Sequence, residues 1–220
     1  MDKPVGPTSM QMVRVVRRAA GHCKTGHAGT LDPLASGLLV VCLGRATKAV
    51  ERLMGMRKVY EARVDLSGWS ATDDAEGPIE PVRVDEPPSG ERVRAVLAGL
   101  TGVVMQRPPA HSAVKVGGKR AYALARKGKP PEMKERPVRI DGIEVVSYRY
   151  PELEIVVRCG KGTYIRSLAR QIGEGLGTGG YLRGLRRTAI GVYEVSDAVG
   201  PEGLPERIEQ EHLRAEPGEV

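Results

Sequence analysis

The chain has 220 residues and a formal net charge of +7, but residues 201–220 carry six Glu and two Arg, so residues 1–200 hold 32 basic and 21 acidic side chains and a net charge of +11. This excess of positive charge favours a polyanionic partner. The three cysteines include no C-x-x-C pair, which argues against a disulfide framework or a zinc ribbon and favours a reducing, cytoplasmic compartment. The longest apolar run, 38–43, is far below the roughly 18 residues of a membrane helix, so no membrane span is expected.

The N-terminal quarter is predicted to contain a helix, a buried strand, a second helix and a second strand. Ser9 is the expected N-cap of a helix over residues 10–20, which has an apolar face and an arginine-rich face. The Val and Leu run at 37–43, bounded by glycines, favours a strand buried on both faces. A helix is expected over 46–54 and a strand over 58–66.

The stretch 65–91 contains eight acidic residues, one arginine and four prolines. It is predicted to be a loop or hairpin turned away from the polyanion. Within it, Asp73, Asp74 and Glu76 could serve a metal site or glycoside hydrolysis. A solvated turn is the interpretation that such a TDDAEG cluster favours.

The remaining pattern mixes helices and strands. Helices are expected at 91–100 and 121–126 and strands at 138–146 and 153–159, and Thr163 is expected to cap the most regular helix of the chain. The apolar stripe of that helix consists of Ile165, Leu168, Ala169 and Ile172. Because strands and helices do not alternate strictly, the pattern predicts an α+β fold with a mixed, mainly antiparallel central sheet.

Asp32 is the single acidic residue in GHAGTLDPLASGLL, residues 26–39. Between Leu31 and Pro33, beside a strand predicted to be buried, its carboxylate must find a cation or accept desolvation that raises its pKa. The alternative is an ordinary turn, since Asp-Pro and nearby glycines commonly form turns. Spacing alone leaves both interpretations open.

Two basic segments point to nucleic acid. Residues 115–139 contain nine Lys and Arg against two Glu, and residues 158–187 contain seven basic residues and one acid. Such segments form either solvated surfaces or clamps on phosphates. Together with the overall charge, they make nucleic acid the leading partner.

Other site chemistries have weaker support. His22, Cys23 and His27 are close in sequence, but their spacing matches no familiar ligand set, so no metal is expected. Serines, histidines and aspartates are available for a Ser-His-Asp triad, yet no G-x-S-x-G elbow occurs.

Several longer motifs occur together in one order, and they are moderate individually but highly specific as a set. They are DKPVGPTS at 2–9, GHAGTLDPLASGLL at 26–39, KVY at 58–60, RPPAHSAVKVGGKRAYALARKG at 107–128 and GKGTYIRSLARQIG at 160–173. On these residues the chain resembles TruB-type tRNA pseudouridine synthases. The resemblance implies a pseudouridine synthase catalytic domain over 1–195, an acidic tail over 196–220 and no full C-terminal PUA-like domain.

The resemblance also assigns catalytic residues. It implies that Asp32 is the nucleophile that attacks the target uridine and that Arg166 pairs with it. It further implies that Tyr60 stacks on the flipped uracil and serves in proton removal. Without the family match, Tyr60 would be interpreted as strand packing and Arg166 as a solvated helix residue.

Substrate-binding positions follow in the same way. Tyr164 and Leu185 would line the pocket, and His27 would help to hold the target base out of its stack. Lys58 would serve structure and RNA contact, as would the basic loop that contains Lys119 and Arg120. The family commonly has Tyr where this chain has His111.

The implied activity is that of an isomerase that converts uridine to pseudouridine at position 55 in the T loop of tRNA, with base flipping. No cofactor or metal is expected, and the protein is expected to be a monomer. Alternatives are the same isomerisation on another RNA and a non-catalytic tRNA-binding or tRNA-folding protein.

Overall fold

A computed structural model of the chain describes residues 1–112, 114–125 and 131–214. They form two compact units, Met1–Val59 with Arg186–Val220 and Tyr60–Leu185. Within the described part of the chain, no helix is long and apolar enough to cross a membrane.

The elements follow in chain order. The α-helices are α1 (Ser9–Ala19), α2 (Val50–Gly55), α3 (Gly90–Gly99), α4 (Ala121–Ala125) and α5 (Ile165–Leu176). The strands are β1 (Asp2–Lys3), β2 (Thr25–His27), β3 (Ala35–Leu38), β4 (Val41–Leu43), β5 (Lys58–Asp65), β6 (Gly68–Ser70), β7 (Ile79–Pro81), β8 (Gly102–Gln106), β9 (Lys115–Val116), β10 (Lys119–Arg120), β11 (Arg136–Arg149), β12 (Glu152–Cys159), β13 (Tyr181–Ile190) and β14 (Tyr193–Glu194). Short 3-10 helices occupy Gly44–Ala49, Val195–Asp197, Pro201–Gly203 and Gln210–His212.

In the first unit, β1 pairs with β3 and β2 with β4, both antiparallel. The single strand predicted over 37–43 is therefore wrong, because residues 39 and 40 lie outside any strand and β3 and β4 pair with different strands. The helix predicted over 46–54 is 3-10 in its first part and α-helical only from α2.

The first helix is confirmed, but its cap is not Ser9. The hydroxyl of Thr8 accepts a hydrogen bond from the Gln11 amide at 3.2 Å, and the Gln11 side chain accepts one from the Thr8 amide at 2.7 Å, which completes a capping box. Ser9 is the first residue of α1 and is 2% exposed. Its hydroxyl is thereby available for a contact elsewhere in the unit.

In the second unit, β11 pairs with β12 on one side and with β8 on the other, all antiparallel. The apolar stripe of α5 is confirmed, since Ile165, Leu168, Ala169 and Ile172 are at most 4% exposed. Helices and mainly antiparallel strands thus occur together, as the predicted α+β fold requires, and this fold class is confirmed.

The cap predicted at Thr163 is wrong. Helix α5 begins at Ile165 with Tyr164 as its N-cap residue, and the Tyr164 amide donates to the Gln106 side chain at 2.7 Å. Gln106, at the end of β8, is 1% exposed. A side chain from a distant strand thus accepts from the N-cap amide of α5, as the Gln11 side chain does at α1.

The acidic stretch contains the predicted hairpin, β6 paired with β7. The solvated turn predicted for the TDDAEG cluster is wrong at two positions, because Asp73 is 9% exposed and Asp74 is 1% exposed. Both carboxylates have arginine partners on α5, which oppose the cost of their burial.

The basic segment contains an antiparallel hairpin of β9 and β10 followed by α4. Lys119 and Arg120 lie in β10, and their side chains are outside the described part of the structure. Residues 126–130, within the predicted clamp, are also outside it.

Candidate active site

The residues around Asp32 form a tightly bonded turn between β2 and β3. The Ser9 hydroxyl donates to the Leu31 carbonyl at 2.9 Å and accepts from the Leu31 amide at 2.8 Å. The Asp32 carbonyl accepts from the Ala35 amide at 3.1 Å, and the Pro33 carbonyl from the Gly6 amide at 2.9 Å. Asp32 thus does lie in a turn, and the backbone on both sides of it is anchored.

His27 ends β2, close to this turn. Its Nε2 lies 3.3 Å from the Thr30 hydroxyl. Burial lowers the pKa of His27 below its ordinary value, and the positive charge of Arg187 lowers it further. The imidazole is therefore neutral at neutral pH, so it is suited to contact a base or ribose rather than to bind phosphate by charge.

Lys58 is buried at the end of helix α2. Its ammonium donates to the carbonyls of Met54 and Met56, both at 2.6 Å, and the residue is 6% exposed. A cation at the last carbonyls of a helix stabilises that end. This geometry supports the structural part of the role expected for Lys58.

Arg166 lies in the first turn of α5 and is 5% exposed. Its Nη1 donates to the Thr72 carbonyl and to Oδ2 of Asp74, each at 3.2 Å, and its Nη2 donates to the His111 carbonyl at 2.8 Å. The prediction without the family match, a solvated arginine, is wrong. The guanidinium is fixed from two segments of the second unit that lie far from it in sequence.

The carboxylate of Asp74 binds Arg166, a contact that the sequence analysis did not predict. Its Oδ1 accepts from the Thr72 hydroxyl at 2.5 Å and from the Glu76 amide at 3.1 Å, while Oδ2 faces Arg166. These contacts compensate the burial of its negative charge. The only sequence signal was the pair of adjacent acidic residues, which is also common in solvated turns.

A second, partly buried ion pair lies one helical turn along α5. Arg170 Nη1 is 2.7 Å from Oδ2 of Asp73. Burial raises the pKa of Asp73 above its ordinary value, although Arg170 and Arg166 both oppose this. A cavity of about 310 Å³ opens beside the pair and is lined on other sides by Arg107, Pro109 and Met133.

Tyr164, immediately before α5, is half-buried, and the Arg136 guanidinium lies 5.4 Å from the centre of its ring. Tyr60 on β5 is 8% exposed. Leu185 on β13 is partly buried. These placements leave the pocket roles of all three residues as predictions.

The expected site residues are divided between the two units. Asp32, His27 and Lys58 lie in the first unit, and Tyr60, Tyr164, Arg166 and Leu185 lie in the second. The pairing of Asp32 with Arg166 therefore stays a prediction. Among the described residues, no group of three or more His, Cys, Asp or Glu could hold a metal ion.

Residues 17–165 match the family model described as TruB family pseudouridylate synthase, N-terminal domain. The chain belongs to the TruB family. The matched range contains Asp32 and Tyr60 and ends one residue before Arg166. The matched range thus covers the Asp32 turn of the first unit and most of the second unit.

Curated TruB relatives are similar over nearly the whole chain. The tRNA pseudouridine synthase B of Arthrobacter sp. (strain FB24) is 43% identical over 216 residues, which are 95% of this chain and 70% of that protein. The protein of the same name from Phocaeicola vulgatus is 42% identical over 218 residues, 96% of this chain and 93% of that protein. The match to the Gluconobacter oxydans protein, 45% identical, covers 60% of that longer relative.

Solved structures show the same fold. A chain in the crystal structure of a Cbf5–Nop10–Gar1 complex is 31% identical, with a TM-score of 0.67 over 88% of this chain. A chain of an H/ACA RNP bound to a substrate RNA containing 2′-deoxyuridine is 29% identical, with a TM-score of 0.64. The TruB-family chain spans about half the length of each of these, 48% and 47%.

Proposed function

We propose that this protein is an isomerase that converts uridine to pseudouridine in tRNA, at position 55 of the T loop. The observation that carries the proposal is the family match over residues 17–165, which contains the anchored Asp32 turn. Relatives named tRNA pseudouridine synthase B, 42% and 43% identical over at least 95% of the chain, support tRNA as the substrate.

The reaction exchanges the bond between uracil N1 and ribose C1′ for one between uracil C5 and C1′. The base must be released, rotated and rejoined, and the proton on C5 is lost in exchange for one on N1. Substrate and product have the same composition, so the reaction requires no oxidant and no group donor. The Asp32 carboxylate serves as the nucleophile, and it must be ionised to do so.

Arg166 is the cation that we assign to Asp32. A guanidinium close to a carboxylate favours its ionised form. Arg166 can act in this way only if its own position is fixed, and the Asp74 carboxylate and two backbone carbonyls bind it from the second unit. Asp74 therefore acts through Arg166, as a positioning residue.

The remaining site residues bind the extruded nucleotide. Taking a base out of its stack costs a few kcal/mol, and one stack on an aromatic ring returns about 1–3 kcal/mol. We assign this stacking to Tyr60 and the walls of the pocket to Tyr164 and Leu185. Neutral His27 contacts the base or ribose, which helps to keep the nucleotide extruded.

The wider organisation follows from the same assignment. Residues 1–195 form the catalytic domain, and residues 196–220 form an acidic tail. Lys119 and Arg120 contact RNA phosphates. The protein acts as a monomer in the cytoplasm, without a metal or cofactor.

Replacement of Asp32 by Asn tests the function. Asn has the same shape but cannot act as a carboxylate, so we expect turnover to fall by at least about 1,000-fold while RNA affinity stays within about threefold. Tritium release from a tRNA transcript labelled at uracil C5 measures turnover. Asp85→Asn, at a side chain that is 79% exposed, is the control.

Unchanged tritium release from the Asp32→Asn variant would remove Asp32 from the mechanism. A transcript with cytidine at position 55 should release no tritium. Release from that transcript would assign the activity to another uridine.

A further inference from the structure

A buried arginine outside the family motifs binds both ends of the segment that carries Asp32. Arg187, on β13, is 1% exposed. Its Nε donates to the Leu38 carbonyl at 2.8 Å, and its Nη2 donates to the Gly29 carbonyl at 2.9 Å. Gly29 and Leu38 are the two ends of segment 29–38, and Asp32 lies between them in the same unit.

The segment is closely fitted to this arginine. A Cβ added at Gly37 would lie 2.3 Å from the Arg187 carbonyl oxygen, and one added at Gly29 would lie 3.3 Å from Nη1. Both glycines also have left-handed backbone angles, with φ of +99° and +93°. The chain thus has glycine at the two positions where a side chain would push the segment away from the arginine.

A buried guanidinium is an unusual choice for a side chain whose only role is packing. Its guanidinium donates to two backbone carbonyls, and no ion pair with a carboxylate is found for it among the described residues. Burying a cation is costly, and an apolar side chain of similar volume often stabilises an interior as well or better. What an apolar side chain cannot do is bind two separate carbonyls at once in a fixed geometry.

We propose that Arg187 is a positioning residue for catalysis: by binding the carbonyls at both ends of segment 29–38, its planar guanidinium holds the Asp32 turn in its reactive position. This inference rests on the proposed role of Asp32. Ser9 anchors the middle of the same segment through Leu31, so the turn is bound at three points. A displacement of about 1 Å at a reacting group can cost roughly 100-fold in rate.

Arg187→Lys is the central test, because lysine keeps the charge but carries all its donors on one flexible nitrogen. Arg187 reaches the two carbonyls from two different nitrogens of a rigid plane, Nε and Nη2, and lysine cannot reproduce that geometry. We expect the single-turnover rate constant for pseudouridine formation to fall at least about 10-fold in Arg187→Lys and about 100-fold in Arg187→Gln, with the Kd for tRNA within about threefold. If Arg187→Gln fails to fold, the single-turnover rate constant of Arg187→Lys alone tests the proposal.

Arg186 provides the matched control. It is the neighbouring residue on β13, and it forms an ion pair with Asp2 at 2.8 Å with 38% of its side chain exposed. Arg186→Lys and Arg186→Gln should leave the rate constant within about threefold of the wild-type value.

Two local readouts separate positioning from general stability. Amide hydrogen exchange should become faster in segment 29–38 of the Arg187 variants, while exchange in α5 of the second unit stays unchanged. The pKa of His27, followed by NMR, should rise in Arg187→Gln, which removes the facing charge, and change less in Arg187→Lys.

Wild-type rates in Arg187→Lys would overturn the proposal. So would a joint loss of rate, tRNA affinity and hydrogen-exchange protection in both units, because that pattern means global destabilisation. These outcomes differ from failure of the proposed function, in which the wild-type protein itself forms no pseudouridine or Asp32→Asn remains active.

Discussion

At the scale of single residues, two neighbouring arginines of α5 each form an ion pair with an aspartate of the acidic loop. Asp74 binds Arg166, and the adjacent Asp73 binds Arg170. Both carboxylates are buried, but only Asp74 contacts the arginine that we assign to catalysis. The two pairs therefore allow the contribution of Arg166 orientation to be measured against a neighbouring ion pair.

Asp74→Asn keeps the shape of the side chain and removes its charge. Because this change takes away the carboxylate that holds Arg166 Nη1, we expect turnover to fall at least about 10-fold while tRNA affinity changes by less than about threefold. The tritium-release assay measures the first quantity and filter binding measures the second.

Asp73→Asn is the matched control for this prediction. Asp73 has a left-handed backbone with φ of +61°, which Asn tolerates well. We expect its turnover to stay within about threefold of the wild-type value. An equal loss of turnover in both variants would contradict the specific role of Asp74.

At the scale of elements, helix α5 carries the two arginines that bind the acidic loop of the second unit. Its apolar stripe is buried, and its other side sends Arg166 and Arg170 to the acidic loop. The glycine turn that follows the helix packs directly on it. A Cβ added at Gly180 would lie 2.4 Å from the Ala169 carbonyl oxygen.

Gly180→Ala should therefore displace the turn from α5. We expect the free energy of unfolding to fall by about 1–3 kcal/mol, the usual cost of inserting a methyl group into a packed region. Urea denaturation measures this change. Gly99→Ala, at a helix position where a Cβ would meet nothing within 4 Å, is the control and should be neutral or slightly stabilising.

At the scale of the whole molecule, charge dominates the expected interaction with RNA. Residues 1–200 carry a net charge of +11, whereas the acidic residues concentrate at 65–91 and 201–220. Each phosphate that is neutralised on binding releases counterions, so affinity should fall steeply with salt. The basic segment around β9 and β10 is the part to which we assign this dependence.

Neutralising Lys119, Arg120 and Lys127 together should flatten the salt dependence of tRNA binding. The slope of log K against log salt should decrease in magnitude by roughly 0.7–0.9 for each phosphate that the variant no longer neutralises. Binding measured at several salt concentrations tests this. Arg83→Gln, in the acidic stretch, should leave the slope unchanged, and an unchanged slope in the triple variant would assign the three side chains to solvent.

Local sequence alone was enough to predict several features of this protein. The apolar stripe of α5 repeats at the helical period, and the Asp-Pro turn and its glycines are encoded within a few residues, so both could be predicted without tertiary information. Asp32, Tyr60 and Arg166 could be singled out from the sequence because each lies within a short family motif formed by its immediate neighbours.

Only the tertiary structure decided which charged residues are buried and what binds them. Asp74 and Arg166 are 92 positions apart, and Arg187 is 149 positions from Leu38. Helix α5 has Tyr164 and not Thr163 as its N-cap residue, and the Tyr164 amide donates to Gln106, 58 positions away. Periodicity reports the polarity of a surface, but a buried charge depends on a partner whose location no local pattern encodes.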